Sequence, residues 1–180
     1  APILLYHRVA RERHDPWGQC VAPERFAAQM ALLAEQAEVV PLARLPGAIG
    51  RRRPSRPLVA ITFDDGYLDN LVTARPILER HGLPATVFLV SGWLGRDRLF
   101  WWDELARLVL EPPSLPASLA LTIGGQAFRW QQADGSRRAL HDALWQQLWA
   151  LPDPLQQAAL ARLAAWAGVP RPAADEARPL

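Results

Sequence analysis

Two spacings of apolar residues alternate along the first half of the chain. Segments that repeat apolar residues at the spacing of one helix face begin at Pro23 and at Leu68, and Pro76 is expected to interrupt the second. Short apolar runs of strand length, bounded by turn-forming residues, lie at Pro2–Tyr6, Leu58–Phe63 and Ala85–Val90. Strands that alternate with helices in this way predict a parallel sheet or barrel of the α/β class.

The second half of the chain follows a different pattern. An amphipathic helix is predicted from Phe100, a β-hairpin around Gly124–Gly125, and two further helices from leucine stripes that start at Leu140 and Leu155. We therefore expect three regions: residues 1–99 as the N-terminal part of a barrel, residues 100–168 as an inserted or appended helical subdomain with the hairpin, and residues 169–180 as an extended tail with prolines.

Length, charge and cysteine content narrow the function classes. The 180 residues, half of them apolar, suffice for one domain with a core, whereas a complete (β/α) barrel usually needs about 200 or more. The net charge of +2 gives no reason to expect a nucleic-acid partner, and the run Arg51–Arg53 is typical of a solvated linker. No apolar run is long enough to span a membrane. The single Cys20 excludes an internal disulfide and is more typical of an incidental thiol than of a nucleophile.

The candidate chemistry is centred on Ile61–Tyr67, Ile-Thr-Phe-Asp-Asp-Gly-Tyr, where the central predicted strand ends in two adjacent carboxylates. Ligands and catalytic groups of α/β folds gather at the carboxyl ends of the strands. Asp64 and Asp65 can serve one site only if the chain is already turning, and Gly66 permits that turn. One carboxylate could then coordinate a divalent ion while its neighbour accepts a proton from water. The alternative is a turn that merely caps the strand.

A second candidate group, His7, follows the first predicted strand as Asp64 follows the central one. Imidazole titrates near neutral pH, so it can hold a proton and then release it to a leaving group. The alternative is a strand-end histidine that is bonded to the backbone. The neighbouring aspartate pair favours the catalytic interpretation.

Five blocks follow one another along the chain: Leu5–Val9, Ile61–Tyr67, Asp69–Asn70, Pro76–Leu78 and Gly82–Val90. In their order and composition, these blocks resemble the polysaccharide deacetylase family, which is also called the NodB-homology domain or carbohydrate esterase family 4. The resemblance covers roughly the first half of the chain and implies a distorted (β/α) barrel, of which this chain would be the N-terminal portion. It also implies a metal-dependent hydrolase that cleaves carbon–nitrogen amide bonds, removing N-acetyl groups from an N-acetylhexosamine-containing polysaccharide or glycoconjugate.

The same resemblance implies roles for individual residues. Asp64 matches the general base of the family, and Asp65 matches a ligand of the divalent metal, which is most often zinc. His7 matches the general acid of family members with a permuted motif order, which protonates the departing amine. The partner would be a glycan with an N-acetylated amino sugar, and the substrate-binding residues stay open. The family also suggests the cell envelope or an extracellular location, although the sequence itself leaves the compartment open.

One feature of the family is missing. Family members complete the metal site with His-x-x-x-His, and none of the four histidines here (His7, His14, His81 and His141) has that spacing. Because a catalytic zinc needs three protein ligands, we expect an N-terminal portion that is inactive by itself, with the histidine pair encoded downstream. The alternatives are a non-catalytic carbohydrate-binding relic of the same fold and a metal-dependent phosphoester hydrolase, which would want more phosphate-binding donors.

Overall fold

The structure is a computed structural model that describes residues 1–48, 55–171 and 178–180. The chain divides into two compact units, which we describe separately. The first contains Ala1–Asp97 together with the described C-terminal residues, and the second contains the described residues from Arg98 onward to Arg171. The predicted linker run Arg51–Arg53 and most of the predicted C-terminal tail lie outside the described residues.

The first unit is built on a parallel sheet around one buried strand. Its strands are β1 (Ile3–Tyr6), β2 (Glu38–Val39), β3 (Leu58–Phe63) and β4 (Thr86–Val87). Every residue of β3 is buried, as its continuous apolar and β-branched sequence predicts. β3 pairs in parallel with each of the other three strands. β1 runs beside it in a register that sets Tyr6 opposite Phe63.

Helix α1 (Pro23–Gln36) covers this sheet with the face that the sequence predicts. Its buried residues Phe26 and Met30 join β-strand residues in one apolar cluster. The Tyr6 ring meets the Phe26 ring edge-on at a centroid distance of 5.1 Å and stacks on Phe63 at 5.5 Å. These aromatic contacts hold β1, α1 and β3 together just before the strands end. A short helix, α2 (Leu45–Ala48), adds a second apolar cluster in which Leu45 packs with residues of β3.

The helical segment after β3 differs from the prediction at Pro76. The chain turns helical at Leu68, passes through a π-helical segment at Asn70–Ala74, and continues as α3 (Arg75–Arg80). Proline therefore does not break the helix. Instead, the wider π turn precedes it, because Pro76 has no N–H to donate and its ring would crowd the carbonyl four residues back.

The strand predicted over Ala85–Val90 is shorter and more exposed than expected. Only Thr86–Val87 is β-structure, and the following Phe88 and Leu89 are 50% and 47% exposed. The reason is the position of β4, which has β3 as its one strand partner among the described residues. An apolar run predicts burial, but it does not say which neighbours cover it.

The second unit combines a hairpin with three helices. The hairpin strands turn through Gly124 and Gly125, which both have positive φ (57° and 84°), as a two-residue hairpin turn requires. The Glu104 carboxylate is buried in this unit and accepts a hydrogen bond from Nη2 of Arg171 at 2.6 Å. The elements are α4 (Trp101–Leu110), β5 (Ser118–Ile123), β6 (Gln126–Gln131), α5 (Arg137–Trp149) and α6 (Asp153–Ala167).

The predicted α/β class with an added helical region is confirmed. The described strands of the first unit form an open parallel sheet, which is the partial form of the expected barrel. None of the described helices is long and apolar enough to cross a membrane.

The last three residues return to the first unit as an extended segment. Leu68 donates its N–H to the Arg178 carbonyl at 2.8 Å, and Leu180 donates its N–H to the Gly66 carbonyl at 2.9 Å. Tyr67 and Pro179 lie opposite each other in this antiparallel bridge. The segment therefore pairs with the loop that directly follows β3.

Candidate functional site

The register of the central strands brings His7 and Asp64 to the same edge of the sheet. β1 ends at Tyr6 and β3 ends at Phe63, and these two residues are paired. Asp64 continues the ladder by donating its N–H to the Tyr6 carbonyl at 2.9 Å. Since adjacent strands lie about 4.8 Å apart, the first residues beyond the two strands are neighbours at the carboxyl edge.

The chain turns sharply at the aspartate pair. Asp65 has φ +68° and is the one described residue other than glycine with a positive φ, and Gly66 follows with φ +71°. Aspartate tolerates this left-handed conformation better than most residues, but the conformation still costs about 1 kcal/mol or more. The turn ends the strict alternation of strand side chains, so both carboxylates can serve one site.

Gly66 is required for space as well as for conformation. A Cβ at this position would lie 2.4 Å from Cδ2 of Leu89, a side chain from the segment after β4. The loop after β3 and the loop after β4 therefore pack directly against each other at the aspartate turn.

The three candidate groups interact electrostatically. Asp64, Asp65 and His7 are all partly buried. Burial raises the pKa of Asp65 above its ordinary value; His7 opposes this shift, and the Asp64 carboxylate adds to it. A positive charge beside Asp65 is therefore favourable, because it would offset both the burial and the neighbouring negative charge.

The described residues supply only part of a metal site. In the part of the chain that the structure describes, no group of three or more histidine, cysteine, aspartate or glutamate side chains is arranged to hold a metal ion. Asp65 has the chemistry and the electrostatic setting of one ligand, whereas a catalytic zinc needs three. The described residues therefore do not fit a complete zinc site by themselves.

The structure adds three residues to which the sequence assigned no role, namely Arg8, Asp69 and Asn70. The buried Asp69 carboxylate accepts hydrogen bonds from Arg8 Nε at 2.9 Å and from the Val9 N–H at 3.1 Å. Asn70 donates from Nδ2 to the carbonyl of His7 at 2.9 Å. The one local signal was a polar pair, Asp-Asn, inside an otherwise apolar stretch after the motif. Its partners lie about sixty positions away, so no local pattern identifies them.

Cys20 has no feature of a nucleophile. Burial raises the pKa of its thiol to about 12; Arg8 opposes this shift, and nearby carboxylates, Asp15 first among them, add to it. A thiol with so high a pKa is almost entirely protonated at neutral pH. This agrees with the interpretation of Cys20 as an incidental residue.

The fold and the site together define a class: an α/β protein with two carboxylates and a histidine at the carboxyl edge of a parallel sheet. Within that class, a family model described as Polysaccharide deacetylase matches residues 51–116. The match includes β3 and the whole aspartate turn and continues beyond the first unit. The resemblance to the polysaccharide deacetylase family is therefore confirmed.

One curated protein is similar to most of the chain in sequence. The chain is 26% identical over 151 residues to "Putative polysaccharide deacetylase YxkH" of Bacillus subtilis (strain 168), covering 81% of this chain and 53% of that protein. The chain thus spans about half the length of this curated relative.

Two solved structures resemble parts of the chain. One is the Streptococcus pyogenes deacetylase PplD in complex with acetate, at 26% identity, a TM-score of 0.45, and coverage of 51% of this chain and 42% of that one. The other is IcaB from Ammonifex degensii, at 27% identity, a TM-score of 0.44, and coverage of 57% and 46%.

Proposed function

We propose that the protein hydrolyses the N-acetyl group of an N-acetylhexosamine in a polysaccharide or glycoconjugate. The observation that carries this proposal is the β1–β3 register, which sets His7 beside Asp64 at the edge where the chain turns through Asp65. The family match over the aspartate turn supports the same reaction class. An imidazole and two carboxylates can supply the proton transfers of amide hydrolysis and one ligand for a cation.

Asp64 is the general base in this proposal. It follows the buried strand directly and is partly exposed, so water can reach it. It takes a proton from the water that attacks the acetyl carbonyl. Its backbone N–H is bonded to the neighbouring strand, which holds the carboxylate at the edge of the sheet.

His7 is the general acid. The collapse of the tetrahedral intermediate expels an amine, which is a poor leaving group unless it is protonated. His7 lies across the strand pair from the base, so the two proton transfers take place on neighbouring groups. This division of roles requires His7 to carry a proton when Asp64 carries none.

We further propose that Asp65 is one ligand of a divalent metal, with zinc as the expected ion. Its remaining ligands would come from residues outside those that the structure describes, since the described residues present no cluster of three. Such an ion, if bound, would supply polarisation of the acetyl carbonyl and would lower the pKa of a water from about 15.7 toward about 7. The raised pKa of the Asp65 carboxyl, caused first by burial, is consistent with a position that favours a cation.

The test is acetate release from a chitin-type oligosaccharide. Because the chain covers 53% of its curated relative, the assay uses the complete open reading frame, with and without added zinc. We expect zinc-dependent acetate release, and Asp64→Asn should reduce the rate by roughly 10²- to 10⁴-fold, the usual contribution of a general base.

The matched control is Glu79→Gln. It also converts a carboxylate to an amide in the first unit, but Glu79 is an exposed residue paired with Arg75 on the helix surface. This variant should retain the wild-type rate. Unchanged acetate release by Asp64→Asn would refute the assigned base, whereas glycan binding without any acetate release by the wild type would favour the carbohydrate-binding relic.

A further inference from the structure

A buried polar network lies directly behind the candidate site. Asp69 is fully buried, and its carboxylate accepts three hydrogen bonds. The donors are Arg8 Nε at 2.9 Å, the Val9 N–H at 3.1 Å and Asn70 Nδ2 at 3.0 Å. Burial raises the pKa of the Asp69 carboxyl, and the charge of Arg8 is the largest effect that opposes this shift. Such a set of donors is what a carboxylate needs in order to remain ionised away from water.

The network holds the backbone carbonyl of His7 and the two residues that follow it. Asn70 donates from the same amide nitrogen to the His7 carbonyl at 2.9 Å, while Asp69 holds the side chain of residue 8 and the N–H of residue 9. Three consecutive residues are thus held by side chains from the start of the helical segment after β3. The two acceptors, His7 carbonyl and Asp69 carboxylate, also settle which end of the Asn70 amide is the nitrogen.

Arg8 is itself held from several sides. Its Nη1 lies 2.7 Å from the Glu12 carboxylate, and its guanidinium carbon lies 4.8 Å from the centre of the Tyr67 ring. Tyr67 belongs to the loop that carries the aspartate turn. The segment after β1 and the loop after β3 are therefore joined by charge, by hydrogen bonds and by a cation–π contact.

Stability alone does not account for this arrangement. A buried ion pair usually contributes no more to folding than apolar side chains of similar volume would. The β1–β3 ladder already holds the strands up to Tyr6 and Phe63. The network acts where that ladder ends. It adds side-chain contacts to a segment whose backbone is also bridged, through Arg8, to Gln19 and Val21.

We propose that Asp69, acting together with Asn70, is a positioning residue that holds His7 beside Asp64 for proton transfer. This inference rests on the proposed function, because it assigns Asp69 a purpose in the same reaction. Asp69 is buried behind the site and acts through the backbone of His7 and through Arg8. Neither Asp69 nor Asn70 is assigned a contact with the substrate.

Two isosteric variants test the proposal in the complete protein. Asp69→Asn removes the charge that holds Arg8, and Asn70→Asp replaces the donor to the His7 carbonyl with an acceptor. Each should lower kcat by about 10- to 100-fold with little change in KM, since a small misplacement of a reacting group has an effect of that order. Asp69→Asn keeps an acceptor for Val9, so it serves as the milder variant if Asn70→Asp fails to fold.

Gly82→Ala is the control for lost stability. Gly82 closes α3 in the same unit with φ +63°, and no atom lies within 4 Å of the position that an added Cβ would take. Alanine there strains the backbone without touching the network. At a temperature where all the variants are folded, Gly82→Ala should retain the wild-type kcat. Equal loss of kcat in Gly82→Ala and Asp69→Asn would overturn the positioning role.

A second measurement does not depend on activity. Carbethoxylation of His7 by diethyl pyrocarbonate, followed by mass spectrometry with an added histidine-containing peptide as reference, reports whether the side chains of Asp69 and Asn70 restrain the segment after β1. The rate at His7 should rise severalfold in Asp69→Asn and stay unchanged in Gly82→Ala. Unchanged labelling in Asp69→Asn overturns the inference.

The two proposals can therefore fail separately. A wild type that releases no acetate contradicts the proposed function, and the labelling result still decides whether Asp69 holds His7. An active wild type together with a fully active Asp69→Asn variant contradicts the positioning role and leaves the deacetylase assignment standing.

Discussion

The packing of Gly66 against Leu89 makes a quantitative prediction about the aspartate turn. Gly66 has φ +71°, and a Cβ added there would lie 2.4 Å from Cδ2 of Leu89 and 3.4 Å from its Cα. Gly66→Ala therefore imposes two separate strains. One is conformational, and the other is a steric overlap with a neighbouring loop.

Each strain has an expected magnitude. A left-handed conformation costs a residue with a Cβ about 1 to 2 kcal/mol. The overlap falls on the end of a side chain that is 47% exposed, so Leu89 can move away by leaving its preferred rotamer, at about 0.5 to 1.5 kcal/mol. Gly66→Ala should thus reduce the free energy of unfolding of the first unit by about 1.5 to 3.5 kcal/mol.

The assay is native-state amide hydrogen exchange of the β3 peptide, which reports the first unit by itself. Gly82→Ala is the matched comparison because it has the same sign of φ and open space around the added Cβ. Its free energy of unfolding should fall only by the conformational contribution, about 1 to 2 kcal/mol. In the double variant Gly66→Ala/Leu89→Ala the overlap with the Leu89 side chain is removed, so this variant should regain the stability that Gly66→Ala loses to the overlap.

Two results would refute this reasoning. Equal destabilisation by Gly66→Ala and Gly82→Ala would mean that the contact with Leu89 has no energetic weight. A Gly66→Ala variant as stable as the wild type would mean that the turn does not adopt the left-handed conformation.

Two further predictions follow from buried titratable groups. Burial lowers the pKa of His141 in α5, and its hydrogen bond with Asp142 offsets this shift in part. On acidification the unfolded chain therefore takes up the proton before the folded chain does. The second unit should accordingly lose stability as the pH falls below about 6.5. Urea unfolding at several pH values, followed by tryptophan fluorescence, measures this pH dependence of stability. His141→Gln should flatten the dependence. A wild type that gains stability on acidification would contradict the prediction. Burial raises the pKa of Cys20 to about 12, so alkylation by iodoacetamide at pH 8 should be far slower in the native protein than in urea. Native labelling as fast as that of a small free thiol would contradict it.

Much of the fold follows from local patterns. The six apolar residues of β3 are buried on both faces as a continuous apolar run predicts, and α1 buries Phe26 and Met30 on the expected stripe. The glycine pair of the hairpin identifies its turn, because two consecutive positive φ angles suit few other residues. The aspartate motif likewise led to both the edge of the sheet and the family.

Non-local contacts, and the exact helix geometry before Pro76, were beyond such patterns. The exposure of Phe88 and Leu89 depends on which elements lie beside β4, and the π turn before Pro76 depends on how the helix accommodates a missing donor. The return of Arg178–Leu180 to the loop after β3 joins residues more than a hundred positions apart. None of these leaves a periodic signal in the chain.

The sequence by itself determined the strands, the helices and the chemical groups at the strand ends, because propensity, apolar spacing and turn residues act over a few positions. Only the tertiary structure decided that Asp69 pairs with Arg8 and that Asn70 holds the carbonyl of His7. These contacts form because two parallel strands, distant in the chain, end at the same edge of the sheet and bring their following residues together.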